Sequence, residues 1–87
     1  MRTFTPEEIQ RLTLKDMATL RTDFPDAAWA QEAASIVQAL HEIAGSSERD
    51  SAQLIDLEQR ISRLIREYNL KGMTPVLWMI NSLKNTR

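Results

Sequence analysis

Few side chains in this 87-residue sequence could carry out chemistry, and their spacing matches no known catalytic motif. His41 is the only histidine and cysteine is absent, so the pair His41-Glu42 lacks the further ligands that a zinc site needs. A serine nucleophile would need a base and an oxyanion site beside it, and one histidine is too little to build both. We therefore expect no catalytic residue, no metal site and no cofactor, and we interpret the protein as non-enzymatic.

Other residues that could bind ligands occupy positions with structural explanations. The adjacent carboxylates Glu7 and Glu8 fall in the first turn of a predicted helix, where they complement the helix dipole. Gly45 and Gly72 are the only two glycines, and both lie near predicted helix ends. The sequence therefore contains no glycine-rich loop of the kind that cradles phosphate groups.

The longest amphipathic stretch of the chain covers residues 51–70 and predicts the third helix. Ile55 and Ile65 widen its apolar face. The main positions of that face recur at intervals of three and four, as in a helix that buries one side: Leu54, Leu57, Ile61, Leu64 and Tyr68. Because no other stretch is as long or as regular, we expect the other helices to pack against this one.

The first helix is predicted over residues 6–21. Thr5 suits the N-cap, Pro6 suits the first helical position, and Glu8 stands three residues after the cap, as in a capping box. Thr13 has cap-like spacing with a later aspartate and could split the helix, but we favour one continuous helix. Two residue pairs have the spacing of a hydrophobic staple across a helix start: Phe4 with Ile9, and Met73 with Trp78.

The second helix is predicted over residues 26–44, with Asp26 at its start and Gly45 at its left-handed C-terminal end. Ser46 or Ser47 is then expected to cap the third helix. The apolar face of the second helix follows the same three-and-four spacing: Trp29, Ala33, Ile36, Leu40 and Ile43. The first helix has a broad apolar face that we also expect in the core: Ile9, Leu12, Met17, Leu20 and Phe24.

The last helix is predicted over residues 75–84, after Gly72 ends the third helix and Thr74 caps the fourth. The chain contains no strand pattern, repeat or linker. The fold class we predict is all-α, a single domain over residues 1–87, built as an antiparallel bundle of three long helices plus a short C-terminal fourth helix.

The fourth helix has more apolar surface than one packing face requires. Val76 and Met79 lie on one side of it, whereas Leu77 and Trp78 point elsewhere at 100° per residue. Either Trp78 folds back on its own chain as a staple, or another chain covers it. We predict a partner-binding surface at the fourth helix with a basic rim: Leu77 and Trp78, with Arg63, Arg66 and Lys71 around them.

Charge is divided unevenly along the chain, although the formal net charge is only −1. Residues 1–59 contain five basic and eleven acidic side chains, and residues 60–87 contain six basic and one acidic, so the two parts carry −6 and +5. Arg60, Arg63 and Arg66 form a slanting stripe that could contact phosphates. The alternative is that basic and acidic helices lie side by side and complement each other.

Together these features predict a small non-enzymatic module for protein–protein interaction, a regulator or adaptor, whose partner is another protein or itself in a homodimer. The alternative is a nucleic-acid-binding regulator that uses the basic C-terminal third. No apolar run is long enough for a signal peptide or a membrane span, so we expect a cytoplasmic protein that does not enter a membrane.

Overall fold

The computed structural model describes residues 3–48 and 50–85, and every regular element in these ranges is helical. The elements are α1 (Pro6–Asp23), α2 (Ala30–Gly45), α3 (Ser51–Tyr68) and α4 (Thr74–Asn85), with a 3-10 turn (Lys71–Met73) before α4. The predicted all-α class with four helices is confirmed. None of the described helices combines the length and the apolar character needed to cross a membrane.

The N-terminus of α1 forms the predicted capping box. The Thr5 hydroxyl accepts a hydrogen bond from the Glu8 amide at 3.2 Å, and the Glu8 carboxylate accepts one from the Thr5 amide at 3.1 Å. Thr13 does not split the helix, because its hydroxyl donates to the Ile9 carbonyl at 2.7 Å within the same helix. The helix therefore continues to Asp23, two residues beyond the predicted end.

The predicted start of α2 at Asp26 is wrong, because the chain first makes two tight turns. The Ala27 amide donates to the Phe24 carbonyl at 3.4 Å, and the Ala30 amide donates to the Ala27 carbonyl at 3.1 Å. Regular helical bonding begins only at Ala30, and its N-cap residue Trp29 supplies no capping side chain.

The predicted caps between α2 and α3 are also corrected. Neither glycine of the chain has a positive φ, and α2 instead ends with the Ser46 amide bonded to the Ile43 carbonyl at 3.1 Å. Asp50 rather than a serine caps α3, since its carboxylate accepts from the amides of Ala52 and Gln53 at 3.0 and 3.4 Å. A charged acceptor satisfies two amides of the first turn at once, which favours it over the serines.

The end of α3 is set by Asn69 and not by Gly72. Asn69 adopts the left-handed conformation (φ 56, ψ 48), which asparagine tolerates better than most residues, and this ends the helix at Tyr68. Gly72 lies within the 3-10 turn that follows. Thr74 is not an N-cap either, because it is already helical and its hydroxyl donates to the Lys71 carbonyl at 2.8 Å.

All four helices contribute to one hydrophobic core, and most predicted core positions are buried there. The predicted seam of α3 is correct over its first four positions, but Ile55 and Tyr68 are 44% and 45% exposed. Ile55 lies about 120° around the helix from the buried Ile61, and Tyr68 is the last residue of α3. The largest fully buried apolar side chains are Ile9, Ile36, Val37, Leu40, Leu54, Leu57, Ile61, Ile80 and Leu83.

The helices form two pairs, α1 with α2 and α3 with α4, and α2 joins the two pairs. The pairs run antiparallel: Gln10 near the start of α1 bonds to His41 near the end of α2, and Lys84 at the end of α4 bonds to Glu58 of α3. The expectation that every other helix packs against α3 is therefore wrong, because α1 packs mainly against α2. α1 packs closely along α2, whereas the backbones of α1 and α4 stay apart.

Candidate functional site

A groove of about 730 Å³ occupies the space between α1 and the segment that leads into α4. The first wall is a stripe of α1 that includes Leu12, Asp16 and Thr19. The second wall comes from residues 69–73 and the first turns of α4. The groove is open to solvent, because α1 packs on α2 and does not close against α4.

Buried side chains close the base of the groove. Its floor contains four residues of the core, Phe4, Leu20, Val76 and Met79. The Phe4 amide donates to the Ser82 hydroxyl at 3.0 Å, which fastens the segment before α1 to α4. The base of the groove is therefore closed where the segment before α1 is attached to α4.

Both tryptophans of the chain line the groove, together with an exposed phenylalanine. Phe24 is 42% exposed, and its ring lies 5.1 Å from the Trp29 ring with an angle of 51° between the planes. The turn at residues 24–29 holds this tilted pair, a favourable aromatic geometry. Phe24 was expected in the core; it instead lies at one end of the groove because α1 ends beside it.

Trp78 is partly buried against the core and partly exposed to the groove. Met73, its predicted staple partner, has the same intermediate burial and lines the same groove. The indole of Trp78 is therefore not enclosed by its own chain. This leaves it available as an anchor for another molecule.

Three charged groups accompany the apolar lining. Lys15 and Lys71 stand exposed on opposite walls, and neither forms an ion pair within the described ranges. Asp16 follows Lys15 on the α1 wall and is half-buried. Burial raises the pKa of its carboxyl group, and the neighbouring Lys15 partly offsets this. The carboxyl has no hydrogen bond or ion pair to any other described residue.

The structure does not bring the five predicted partner-binding residues into one site. Trp78 and Lys71 line the groove, but Leu77 does not, since successive helical residues point about 100° apart. Arg63 and Arg66 are exposed on α3 and lie outside the groove lining. Their role in binding stays a prediction.

Sequence patterns did not identify the α1 wall of the groove. Leu12 and Phe24 were assigned to the core-facing side of the first helix because they have helical spacing. Asp16 was considered only as the residue three positions after a possible cap at Thr13. The spacing of Leu12, Asp16 and Thr19 at i, i+4 and i+7 does mark one stripe of α1. This spacing does not indicate, however, that the stripe lies beside an open groove instead of in the core.

Part of the basic C-terminal third complements the acidic helices, as one of the two charge interpretations predicts. The Arg60 guanidinium lies 3.7 Å from the Glu32 carboxylate of α2 and 3.9 Å from that of Asp56. The Lys84 ammonium lies 3.2 Å from the Glu58 carboxylate. The arginine stripe on α3 therefore keeps only Arg63 and Arg66 without an ion pair in the described part of the chain.

His41 has a structural role between α1 and α2. Its Nδ1 lies 3.0 Å from the Thr13 hydroxyl and 3.1 Å from the Gln10 carbonyl. Because the Thr13 hydroxyl donates to Ile9, we assign the proton to Nδ1, which donates to both oxygens. No group of three or more metal-ligating side chains capable of holding a metal ion occurs among residues 3–48 and 50–85.

No protein-family model matches the sequence, and comparison with curated proteins and with solved structures found no similar chain.

Proposed function

We propose that this protein is a non-enzymatic helical module, a regulator or adaptor, that binds another protein through the groove between α1 and α4. The observation that supports this proposal is the apolar lining of the open groove, which includes both tryptophans and the exposed Phe24. A contiguous apolar surface rimmed by charge is typical of interaction sites. Partly exposed tryptophans are frequent anchors in such sites.

The length and openness of the groove favour a protein partner over a small molecule. The α1 wall runs from Leu12 to Phe24, twelve residues or about 18 Å at a rise of about 1.5 Å per residue. Small-molecule sites typically enclose most of their ligand. This groove instead lies open beside α1, as a surface for an extended contact does.

The experiment that tests the proposal compares three forms of the protein in a selection from displayed helical peptides. Wild type and Leu14→Glu are expected to enrich the same peptides, because Leu14 is 56% exposed and lies outside the groove. Phe24→Glu is expected to lose at least about tenfold in affinity for them, since it puts a charge into the apolar lining. No enrichment by wild type, or unchanged binding by Phe24→Glu, would contradict the proposal.

Self-association is a second way of covering the same groove. Sedimentation of the wild type at high micromolar concentration measures its mass directly. A dimer that dissociates in Phe24→Glu but not in Leu14→Glu would support a homodimer through the groove. A clean monomer would remove the homodimer and leave binding to other proteins in place.

Nucleic-acid binding is the other candidate, and it is supported by Arg63, Arg66 and Lys71, which are exposed and form no ion pair among the described residues. Binding to a random DNA duplex with a steep salt dependence, weakened in Arg63→Ala/Arg66→Ala, would support this candidate. No binding at low salt would exclude it.

A further inference from the structure

We infer that the occupant of the groove is one amphipathic helix of a different protein, acidic along both flanks of its apolar stripe, and that Lys15 and Lys71 select it. The inference rests on the proposed function and names the chemistry of the partner. Its basis is the shape of the groove, the charges on its rim and the lack of a suitable helix in a second copy of this chain.

The shape of the groove fits a helix. The residues of the α1 wall follow helical spacing, so the wall is straight, and its length of about 18 Å matches about three helical turns of about 5.4 Å. A partner helix would place apolar side chains at i, i+4, i+7 and i+11, a span of about 16.5 Å, against a lining that includes Leu12, Trp78 and Phe24. An extended partner strand would need a sheet edge, and the described residues form only helices.

The rim of the groove carries positive charge on both sides. Lys15 belongs to α1 and Lys71 to the 3-10 turn on the other wall, so a helix lying between them passes both ammonium groups. Neither lysine has an ion pair within the described part of the molecule. Acidic residues on the two flanks of the helix would complement them, and such complementarity contributes mainly to specificity and association rate.

Asp16 adds a further requirement for the partner. Its carboxyl is half-buried in the groove and has no hydrogen-bonding partner among the described residues. A helix in the groove would remove its remaining water, and an unpaired buried carboxylate is strongly unfavourable. We therefore expect the helix to carry one lysine, arginine or hydroxyl side chain opposite Asp16, within its otherwise apolar stripe.

The part of a second copy that the structure describes does not supply such a helix. Among residues 3–48 and 50–85, the exposed large apolar side chains outside the groove are Leu14, Ile55 and Tyr68. Leu14 belongs to α1, and the other two lie thirteen residues apart on α3, so no two of them form a stripe. Two grooves placed face to face would leave both depressions unfilled.

The test is a selection from displayed helical peptides that have leucine fixed along the apolar stripe at i, i+4, i+7 and i+11, and random residues at both flanks and at the remaining stripe position opposite Asp16. Wild type is expected to enrich acidic flanks, with a basic or hydroxyl residue at the position opposite Asp16. The double variant Lys15→Glu/Lys71→Glu is expected to bind the peptides selected on wild type about tenfold more weakly. In its own selection it should enrich peptides with basic flanks. Asp16→Asn is expected to lose the preference for a basic residue at the central position.

The outcomes separate this inference from the proposed function. If the peptides selected on wild type have neutral or basic flanks and Phe24→Glu does not bind them, the inference of an acidic partner helix is wrong. The proposal of a helix-binding groove would still stand. If wild type enriches no peptides beyond those that Phe24→Glu enriches, both the inference and the proposed function are wrong. Circular dichroism of each variant checks that its helical content equals that of the wild type.

Discussion

Among single residues, the Thr13 hydroxyl occupies the most restricted polar position in the core. Thr13 is fully buried, and its oxygen contacts the Ile9 carbonyl, the Gln10 carbonyl and the His41 ring. A buried hydroxyl without hydrogen-bonding partners would lower the free energy of unfolding. Here the hydroxyl instead bridges α1 and α2. The same contacts explain why a threonine with cap-like spacing lies inside a continuous helix.

We predict that Thr13→Val lowers the free energy of unfolding by about 1–2 kcal/mol, because His41 loses one acceptor in a partly buried site. Urea denaturation measures this change. The control is Thr22→Val at an exposed position of the same helix, which we expect to stay within about 0.5 kcal/mol of wild type. Equal stabilities of the two variants would show that the Thr13–His41 contact contributes nothing.

Asp16 makes stability depend on pH. Burial raises the pKa of its carboxyl above 3.8, so the folded state holds this proton more tightly than the unfolded state. Stability therefore falls as pH rises through the window between 3.8 and the higher folded pKa, and the loss remains at neutral pH.

We predict that Asp16→Asn is more stable than wild type at pH 7, because the amide carries no charge to desolvate. The difference should disappear below the ordinary aspartate pKa, where both side chains are neutral. Thermal unfolding of both proteins at several pH values measures this. A stability difference that stays constant across pH would contradict the effect of burial on Asp16.

Among the helices and their connections, the link between the N-terminal segment and α4 matters most for the groove. The Ser82 hydroxyl accepts from the Phe4 amide at 3.0 Å and donates to the Trp78 carbonyl at 2.9 Å. It thereby joins residues at opposite ends of the chain beneath the groove.

We predict that Ser82→Ala destabilises the protein by about 1–2 kcal/mol and speeds amide exchange at Phe4, because a buried amide loses its acceptor. Hydrogen exchange followed by NMR measures both effects. Ser35→Ala at an exposed position of α2 is the matched control and should change neither. Unchanged exchange at Phe4 in Ser82→Ala would contradict the link.

Sequence reasoning predicted helix interiors well and helix ends less well. Apolar periodicity is repeated over several turns in α1, α2 and α3, so a single misleading residue does not change the assignment. The position of a helix end depends on which of several nearby residues acts as the cap. Asp50 and not Ser47 caps the start of α3, and Asn69 ends α3 before Gly72 can. The capping box at Thr5 was predictable because cap, proline and glutamate agree there.

For the whole molecule, the groove depends on which helices pair, and local patterns carry little information about that. The excess apolar surface around Trp78 and the rim lysine Lys71 were visible in the sequence. The opposite wall was not, because Leu12 and Phe24 have the spacing of core residues. Only the pairing of α1 with α2, away from α4, makes that stripe a wall of the groove.

The central claim, that the groove is the binding surface, is tested most directly by the indole N–H signals of the two tryptophans in a ¹⁵N NMR spectrum. Both tryptophans line the groove and the chain has no others. On addition of a peptide selected on wild type, we predict that both signals shift, while the backbone signals of Arg63 and Arg66 do not. A bound peptide that leaves both indole signals in place and shifts those of Arg63 and Arg66 would contradict the claim.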